Sequence, residues 1–381
     1  MEKITLVVMI KEKEEGLLSI AEGRNKSMIP ILGDARLIDY YLYPARINNQ
    51  FKIFINVKSD DVEIKDYINF HYKDYSVKPF TGDNLFDNLS KIIRRAKTDM
   101  LIVQADGFIY WDWRSLINEL LDIKGGNRLI YADSNYDNFR GLYISEIESF
   151  YDLLRSGLES RDIEYQDYDA VWERLISLSD NAYLKAKVKS IEEYFGLKTV
   201  REYYDFHMNL LDDMEKCYRY ASLFYNEELK EKDDITVTSA GTVKGSYISP
   251  SSYIEGEIDS SFIFSNVKIS KGAYIYRSII MDNNSIAENA VLESVILCDG
   301  GELLQTVLPR VGENAILGGR SKNGYNRNYP EYIFGGISLV GSNVDIPRGF
   351  TMAENCYIPS NTGKILLKEK KKLVNGESLT S

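Results

Sequence analysis

Three cations stand within one short stretch of this chain: Arg24, Lys26 and Arg36 in RNKSMIPILGDARLID, Arg24 to Asp39. Their types suit phosphate oxygens, because a guanidinium offers a planar fork of donors and an ammonium a point charge. The stretch lies one short loop after an apolar run, TLVVMI (Thr5 to Ile10), and leads into an amphipathic segment, IDYYLYPARI. A strand, a loop and a basic, proline-containing turn opening a helix is a common way to bring backbone N–H groups up to a phosphate. Two carboxylates could complete such a site. Asp106 ends the apolar run MLIVQAD, and Asp112 follows in ADGFIYWD. The carboxyl edge of a parallel strand is where open α/β sheets place their sites. The loop itself, KEKEEGLLS, has one glycine where phosphate cradles use several. It also puts Glu12, Glu14 and Glu15 where a polyphosphate would lie, and like charges repel. The layout is that of a nucleotide site, and the loop is unsuited to it.

Each of these residues has a plainer role as well. Asp106 could cap a turn at its strand end, and Asp112 could be a helix N-cap. Lys26 could be a solvated charge, and Arg24 and Arg36 surface charges or partners of carboxylates. His71 and His207 are the two histidines of the chain and read as structural. Cys217, Cys298 and Cys356 are far apart, without metal-type spacing, and read as reduced thiols.

The elements that must position these groups fall into two grammars. Up to about residue 215, strand and helix patterns alternate: KIFINV, a helix from about Asp87 to Lys97, MLIVQAD, a helix over Trp113 to Ile123, then RLIYADS and GLYIS. Helical patterns follow at Ile147 to Leu154, Tyr168 to Leu178 and Val200 to Leu211. Short apolar runs between amphipathic segments predict a layered α/β domain with a parallel sheet. After a linker over 216–240 the pattern changes. Aliphatic residues recur at Ile248, Ile254, Ile263, Ile269, Ile275, Ile280, Ile286 and Leu292, and return at Val340, Ile346, Met352 and Ile358. A step of six, slipping to five, fits neither a helix nor an alternating strand. It fits a parallel β-helix of three short strands per coil, here over 241–362. Gly318 to Tyr332 breaks the period and reads as an exposed loop, and 363–381 as a polar tail.

At 381 residues, 44% hydrophobic and 27% charged, the chain can bury two globular cores. A net charge of −11 argues against a nucleic-acid partner. No leader or long apolar run is read, so the expectation is a cytoplasmic protein without membrane contact.

An α/β nucleotide-type domain followed by a left-handed hexapeptide β-helix is the layout of sugar-phosphate nucleotidyltransferases. R-x-K-x-x-x-P at Arg24, Lys26 and Pro30, followed by RLID, resembles the signature of the glucose-1-phosphate adenylyltransferase (ADP-glucose pyrophosphorylase) family. TGDNLFDN (Thr81 to Asn88) is similar to that family's TADAVYQN, GLYIS to its MGIYVF strand, and KTVREYYDFHMNLL to its GTLDAYWKANLDL helix. The resemblance implies a Rossmann-like N-terminal domain and vestigial catalytic positions at Asp106, Asp112 and Lys26. It implies nucleotide contacts at Thr81 and Asp83, and a regulatory anion site at Arg24, Lys26 and Arg36.

The departures are informative. Active members have a Gly-rich, Arg-containing loop where this chain has KEKEEG. Their second metal-site Asp aligns with Gly196. Trp113 to Phe139 is too short for the insert that supplies their sugar-phosphate lysine, and no E-K-P triplet occurs. Transfer of this kind needs carboxylate-held metal and cations on the phosphates. The pattern resembles GlgD-type non-catalytic subunits, which implies a regulatory role in bacterial glycogen synthesis. It further implies oligomers with a catalytic adenylyltransferase subunit or with itself, and a phosphorylated metabolite effector. No cofactor is then required, and Mg matters only if activity remains. Two alternatives stay open: an active nucleotidyltransferase with a divergent loop, and a β-helix scaffold without ligand. An acyltransferase is disfavoured, since no His lies in Val243 to Ile358 to serve as base.

Overall fold

The computed structural model describes residues 4–47, 51–82, 84–96, 98–123, 125–132, 139–158, 167–224, 235–300 and 310–379. The chain divides into two compact units. One comprises Met1–Glu14, Gly23–Ile29 and Arg36–Gly196, and the other Glu15–Glu22, Pro30–Ala35 and Leu197–Ser381.

The first unit is built on a mixed sheet whose centre is parallel. Ile4–Ile10 lies between Phe51–Val57 and Asp99–Ala105, with Leu6 opposite Ile53 on one side and Leu101 on the other. All seven residues of Ile4–Ile10 are buried, as a strand covered on both faces requires. Val77–Thr81 extends the sheet at one edge. On the other side Arg140–Ile144 runs antiparallel to both Asp99–Ala105 and Arg128–Ala132, and Leu184–Val188 closes that edge. Among the helices, Leu37–Ile47 carries Pro44 in its interior. A proline there cannot donate to the carbonyl four residues back. The carbonyl of Tyr40 instead accepts from Trp111 Nε1 at 3.4 Å.

Several elements differ from the sequence reading. The helix expected from Asp87 is Leu85–Arg95, started by Asn84, whose side chain accepts from the Asp87 N–H. The helix from Tyr168 continues to Ala182, and the one from Ile147 to Leu158. Phe108–Trp111 pairs antiparallel with Ile191–Phe195, a ribbon that the apolar pattern alone did not reveal.

In the second unit three parallel sheets share one apolar core, and the chain visits them in turn. Ile254, Ile269 and Ile286 stack in one ladder, and bridges through Val311 carry it to Ile346. Ile258, Ile275, Leu292, Leu317, Met352 and Leu373 form the second ladder. Ile263, Ile280, Leu297, Val340 and Ile358 form the third. Each strand contributes one inward aliphatic side chain, which is why the spacing is six. Several corners are turned by asparagines with positive φ, among them Asn266, Asn283 and Asn289. Asn tolerates that left-handed region better than most residues.

The repeat is longer than the sequence reading gave it. Val311 and Leu317 complete a coil inside the expected interruption. The loop over Gly318 to Tyr332 is exposed at Arg320–Tyr325 and then pinned. Asn326 is buried, its Nδ2 donating to Asn355 O at 2.8 Å and its Oδ1 accepting from Tyr329 N at 3.1 Å. The expected polar tail is also ordered. Lys364–Lys370 is a helix, and Lys372–Leu373 adds a strand to Thr351–Met352. Leu367 and Leu373 enter the core, while the lysines of KEKKK face outward. Likewise Met214–Ser222, at the start of the expected linker, is a helix that buries Cys217 and Tyr220.

His207, on the helix Val200–Asp212, is fully buried, with Nδ1 2.8 Å from Tyr203 O and Nε2 2.8 Å from Ile31 O. Burial is the dominant cause and lowers its pKa from 6.5 to about 4, against the two carbonyls, which favour the proton. Between those values the unfolded chain binds a proton that the folded chain does not. The stabilisation is therefore complete above pH 6.5 and is lost as pH falls towards 4, by about 1.4 kcal/mol per unit. Urea midpoints of wild type and His207→Gln across pH 4 to 7 should diverge accordingly, with the steeper decline in wild type. Parallel curves would mean that the imidazole takes up its proton in the fold at the same pH as in the unfolded chain.

Candidate functional site

Of the groups singled out in the first unit, Lys26, Glu14, Asp106 and Gly196 come together at the carboxyl ends of Ile4–Ile10 and Asp99–Ala105. Lys26 heads a single turn of 3-10 helix, Lys26–Met28, and its side chain is fully buried. Its ammonium donates to Asp106 Oδ1 at 2.7 Å, to Gly196 O at 2.8 Å and to Glu14 Oε2 at 3.1 Å. An ammonium has three donors. All three are engaged, so an anion could reach Lys26 only by displacing a carboxylate or the Gly196 carbonyl.

The loop after the first strand is filled in the same way. The carboxylate of Asp169, in the first turn of Tyr168–Ala182, faces it. Asp169 lies 3.3 Å from Lys11 Nζ and accepts from Gln104 Nε2 at 2.9 Å. The backbone N–H groups of Glu12 and Lys13 point at its two oxygens, each at 3.5 Å. Glu12 is held by Lys58 at 2.8 Å. Four carboxylates and three ammonium groups thus pair with one another around the loop.

Their titration reflects this crowding. Burial raises the Glu12 pKa despite Lys58, and raises that of Asp169 despite Lys11. Burial would lower Lys11, but Asp169, Asp106 and Glu14 outweigh it and its pKa is raised. The ring carries more acid than base, and a polyphosphate brought here would meet net negative charge.

Asp112 is at the N-terminus of Trp113–Asp122, where it accepts from Arg114 N at 3.1 Å and Ser115 N at 3.3 Å. The Ser115 hydroxyl donates to its other oxygen, and this bond chiefly lowers its pKa. Asp112 acts as a cap and makes no contact with Lys26. Gly196, where the resemblance places a second metal carboxylate in active members, contributes only its carbonyl, to Lys26. Among the described residues no group of three or more His, Cys, Asp or Glu side chains could hold a metal ion.

Arg24 and Arg36 are both half-buried in this unit, and each has partners in the fold. The Arg36 N–H donates to Asp39 Oδ2 at 2.6 Å. Asp39 is buried and also accepts from Tyr67 at 2.6 Å and Tyr72 at 2.7 Å. Thr81 is exposed at the end of Val77–Thr81, and Asp83 lies outside the described residues. Near Thr81, Asn88 donates to Asn56 Oδ1 at 2.9 Å and Gly82 O at 3.2 Å. The amide of Asn88 thus pins the turn. His71 ends the helix Val62–His71 on its exposed side. The three cysteines are buried thiols outside any disulfide, and burial pushes those of Cys217 and Cys356 up to about 12 and about 11.

Sequence reasoning missed Lys11, Lys58, Gln104 and Asp169. Asp169 is one acidic residue in a helix's first turn, and nothing local marks it as the partner of a loop so distant in sequence.

Residues 232–315 match the family model described as GlmU-like, C-terminal hexapeptide. The chain is also 29% identical over 118 residues to a glucose-1-phosphate adenylyltransferase of Acetivibrio thermocellus. That alignment covers 31% of this chain and 26% of the relative, so about a quarter of that enzyme's length is matched. No helix among the described residues is long and apolar enough to cross a membrane.

Proposed function

We propose that this chain is a regulatory, catalytically impaired subunit of glucose-1-phosphate adenylyltransferase, acting in bacterial glycogen synthesis in the manner of GlgD-type subunits. The observation that carries this reading is the occupancy of the phosphate-handling positions by the chain's own carboxylates. Glu14 and Asp106 consume Lys26, and Asp169 faces the loop amides and Lys11. Gly196 supplies no carboxylate for a metal. Loss of one preorganised stabilising group commonly costs on the order of 10²–10³ in rate, and losses within a cooperating set leave little. The adenylyltransferase similarity and the hexapeptide match support the family part of the reading.

In this proposal the coils wind left-handed and contribute to an oligomer with a catalytic subunit, in the cytoplasm. Arg24 and Arg36 take a phosphorylated effector, with Lys26 kept for Glu14 and Asp106. No metal is required by this chain.

The decisive experiment is ADP-glucose formation from ATP and glucose 1-phosphate with Mg, by the purified chain alone and mixed with a catalytic adenylyltransferase. The expected result is no turnover alone, and altered effector response of the partner in the mixture. Turnover by the chain alone at ordinary enzyme rates, roughly 1–10³ per second, would refute the proposal in favour of an active transferase with a divergent loop. A partner unaffected in both assembly and activity would leave the scaffold reading.

A further inference from the structure

The second unit has a polar cleft that none of the foregoing uses. It has a volume of about 320 Å³ and lies along one corner of the coil, where Ser251, Ser265–Asn266 and Asp282–Asn283 of successive turns stack, with Asp34 as the facing wall. The volume is at the lower end of the range for small-molecule sites, roughly 300–1,000 Å³.

The walls are fixed by the fold. Ser251, Asn266 and Asn283 all adopt positive φ, so their side chains project in register. Asn266 Nδ2 donates to Asn283 Oδ1 at 2.9 Å, and the backbone of Asn283 donates to Ser265 O at 3.2 Å. Asp34 accepts from the Ser265 hydroxyl at 2.7 Å, and Asp282 Oδ1 accepts from Ser265 N at 3.0 Å. A carboxylate offers about four acceptor sites on its two oxygens, so neither bond exhausts the acceptor capacity of its group.

The composition selects a ligand class. Two carboxylates, two carboxamides and two hydroxyls line the cleft, and no Lys, Arg or His does. Phosphorylated or carboxylated ligands would meet repulsion. A bare cation would find two carboxylates, each already shared with Ser265, and no third acidic or imidazole group converges here among the described residues. Adjacent ligand hydroxyls, in contrast, match the wall: they donate to the carboxylates and accept from the carboxamides and serines. We propose that this cleft binds a neutral polyhydroxylated molecule of one or two sugar rings.

The test is saturation-transfer NMR on the full chain with glucose, maltose and sorbitol as probes and glucose 1-phosphate as a control, with calorimetric titration of calcium chloride alongside. No aromatic ring lines the cleft, so the expected dissociation constant for a neutral sugar is weak, about 1 mM or higher. Asp34→Asn and Asp282→Asn should each weaken binding about tenfold, because a carboxamide keeps the shape but is a poorer acceptor. Two variants guard against one misfolding, and Asp34 is exposed. Any glucose 1-phosphate signal should be insensitive to both substitutions. The proposal is overturned if no neutral sugar shows saturable transfer, or if transfer survives both substitutions. A saturable response to calcium in the absence of any sugar response would reassign the cleft to a cation.

Discussion

Arg310→Met should destabilise the coiled unit by roughly 3 kcal/mol, the sum of several buried acceptors left without a donor at about 1–3 kcal/mol each, less the relief of removing a buried charge. Arg310 is buried just before the strand position of Val311. Its Nε donates to Val344 O at 3.1 Å and its Nη1 to Asn284 Oδ1 at 2.5 Å, with further bonds to the carbonyls of Cys298 and Gly341. Burial is the largest influence on the guanidinium and lowers its pKa to about 10, partly offset by Cys298, Asp299 and Asp345. A charge is tolerated in that interior because it satisfies carbonyls that the coil leaves open where the chain departs from regular turns. At 2–4 °C per kcal/mol for a unit of this size, the melting temperature should drop by about 6–12 °C in calorimetry. Arg310→Lys should fall between, since one ammonium cannot span four acceptors in different directions. A methionine variant as stable as wild type would show that those carbonyls are satisfied without Arg310.

The residues that were legible in the sequence are those whose neighbours along the chain share their environment. Ile4–Ile10 is apolar at every position because both faces of that strand are covered, and a run of that kind has few other readings. The coil was legible because each side takes one aliphatic residue, so Ile263, Ile280 and Val340 repeat the same demand. Val311 and Leu317 obey the same spacing, yet they stand alone between two irregular stretches, and a single step makes no period. Arg310 was invisible for a related reason. In a repeat whose outer positions are polar, an arginine reads as surface, and only the arrangement of carbonyls around it says otherwise. In the candidate site Lys26 and Asp106 were legible, but Lys11, Lys58 and Asp169 were not. Charge pairs across distant segments leave no local pattern. The loop's glutamates were read as repelling a phosphate, and the fold adds a second cause, an aspartate from another helix facing the same amides.

That aspartate supports the second large effect: Asp169→Ala should create an anion site where the wild-type chain has none to offer. Removing the carboxylate leaves Lys11 Nζ, Gln104 Nε2 and the N–H groups of Glu12 and Lys13 facing one gap. The two amide contacts are long, at 3.5 Å, so the hold on an anion comes mainly from the ammonium and the carboxamide. In the wild-type chain an outside anion competes with a group tethered in place, and a tethered group acts at an effective concentration in the millimolar range or above. Deleting it should therefore tighten binding of inorganic pyrophosphate at least tenfold, as read by titration calorimetry. The same change costs stability, about 1–3 kcal/mol for the donors left unpaired, and pyrophosphate should restore part of that loss in a concentration-dependent way. Asp169→Asn separates charge from shape. Its carboxamide oxygen still fills the gap, so it should bind pyrophosphate far less well than the alanine variant. If a folded Asp169→Ala binds pyrophosphate no better than wild type, Glu12, Glu14 and Asp106 alone suffice to exclude the anion. The incapacity of the loop would then be a matter of net charge rather than of one carboxylate lodged against its amides.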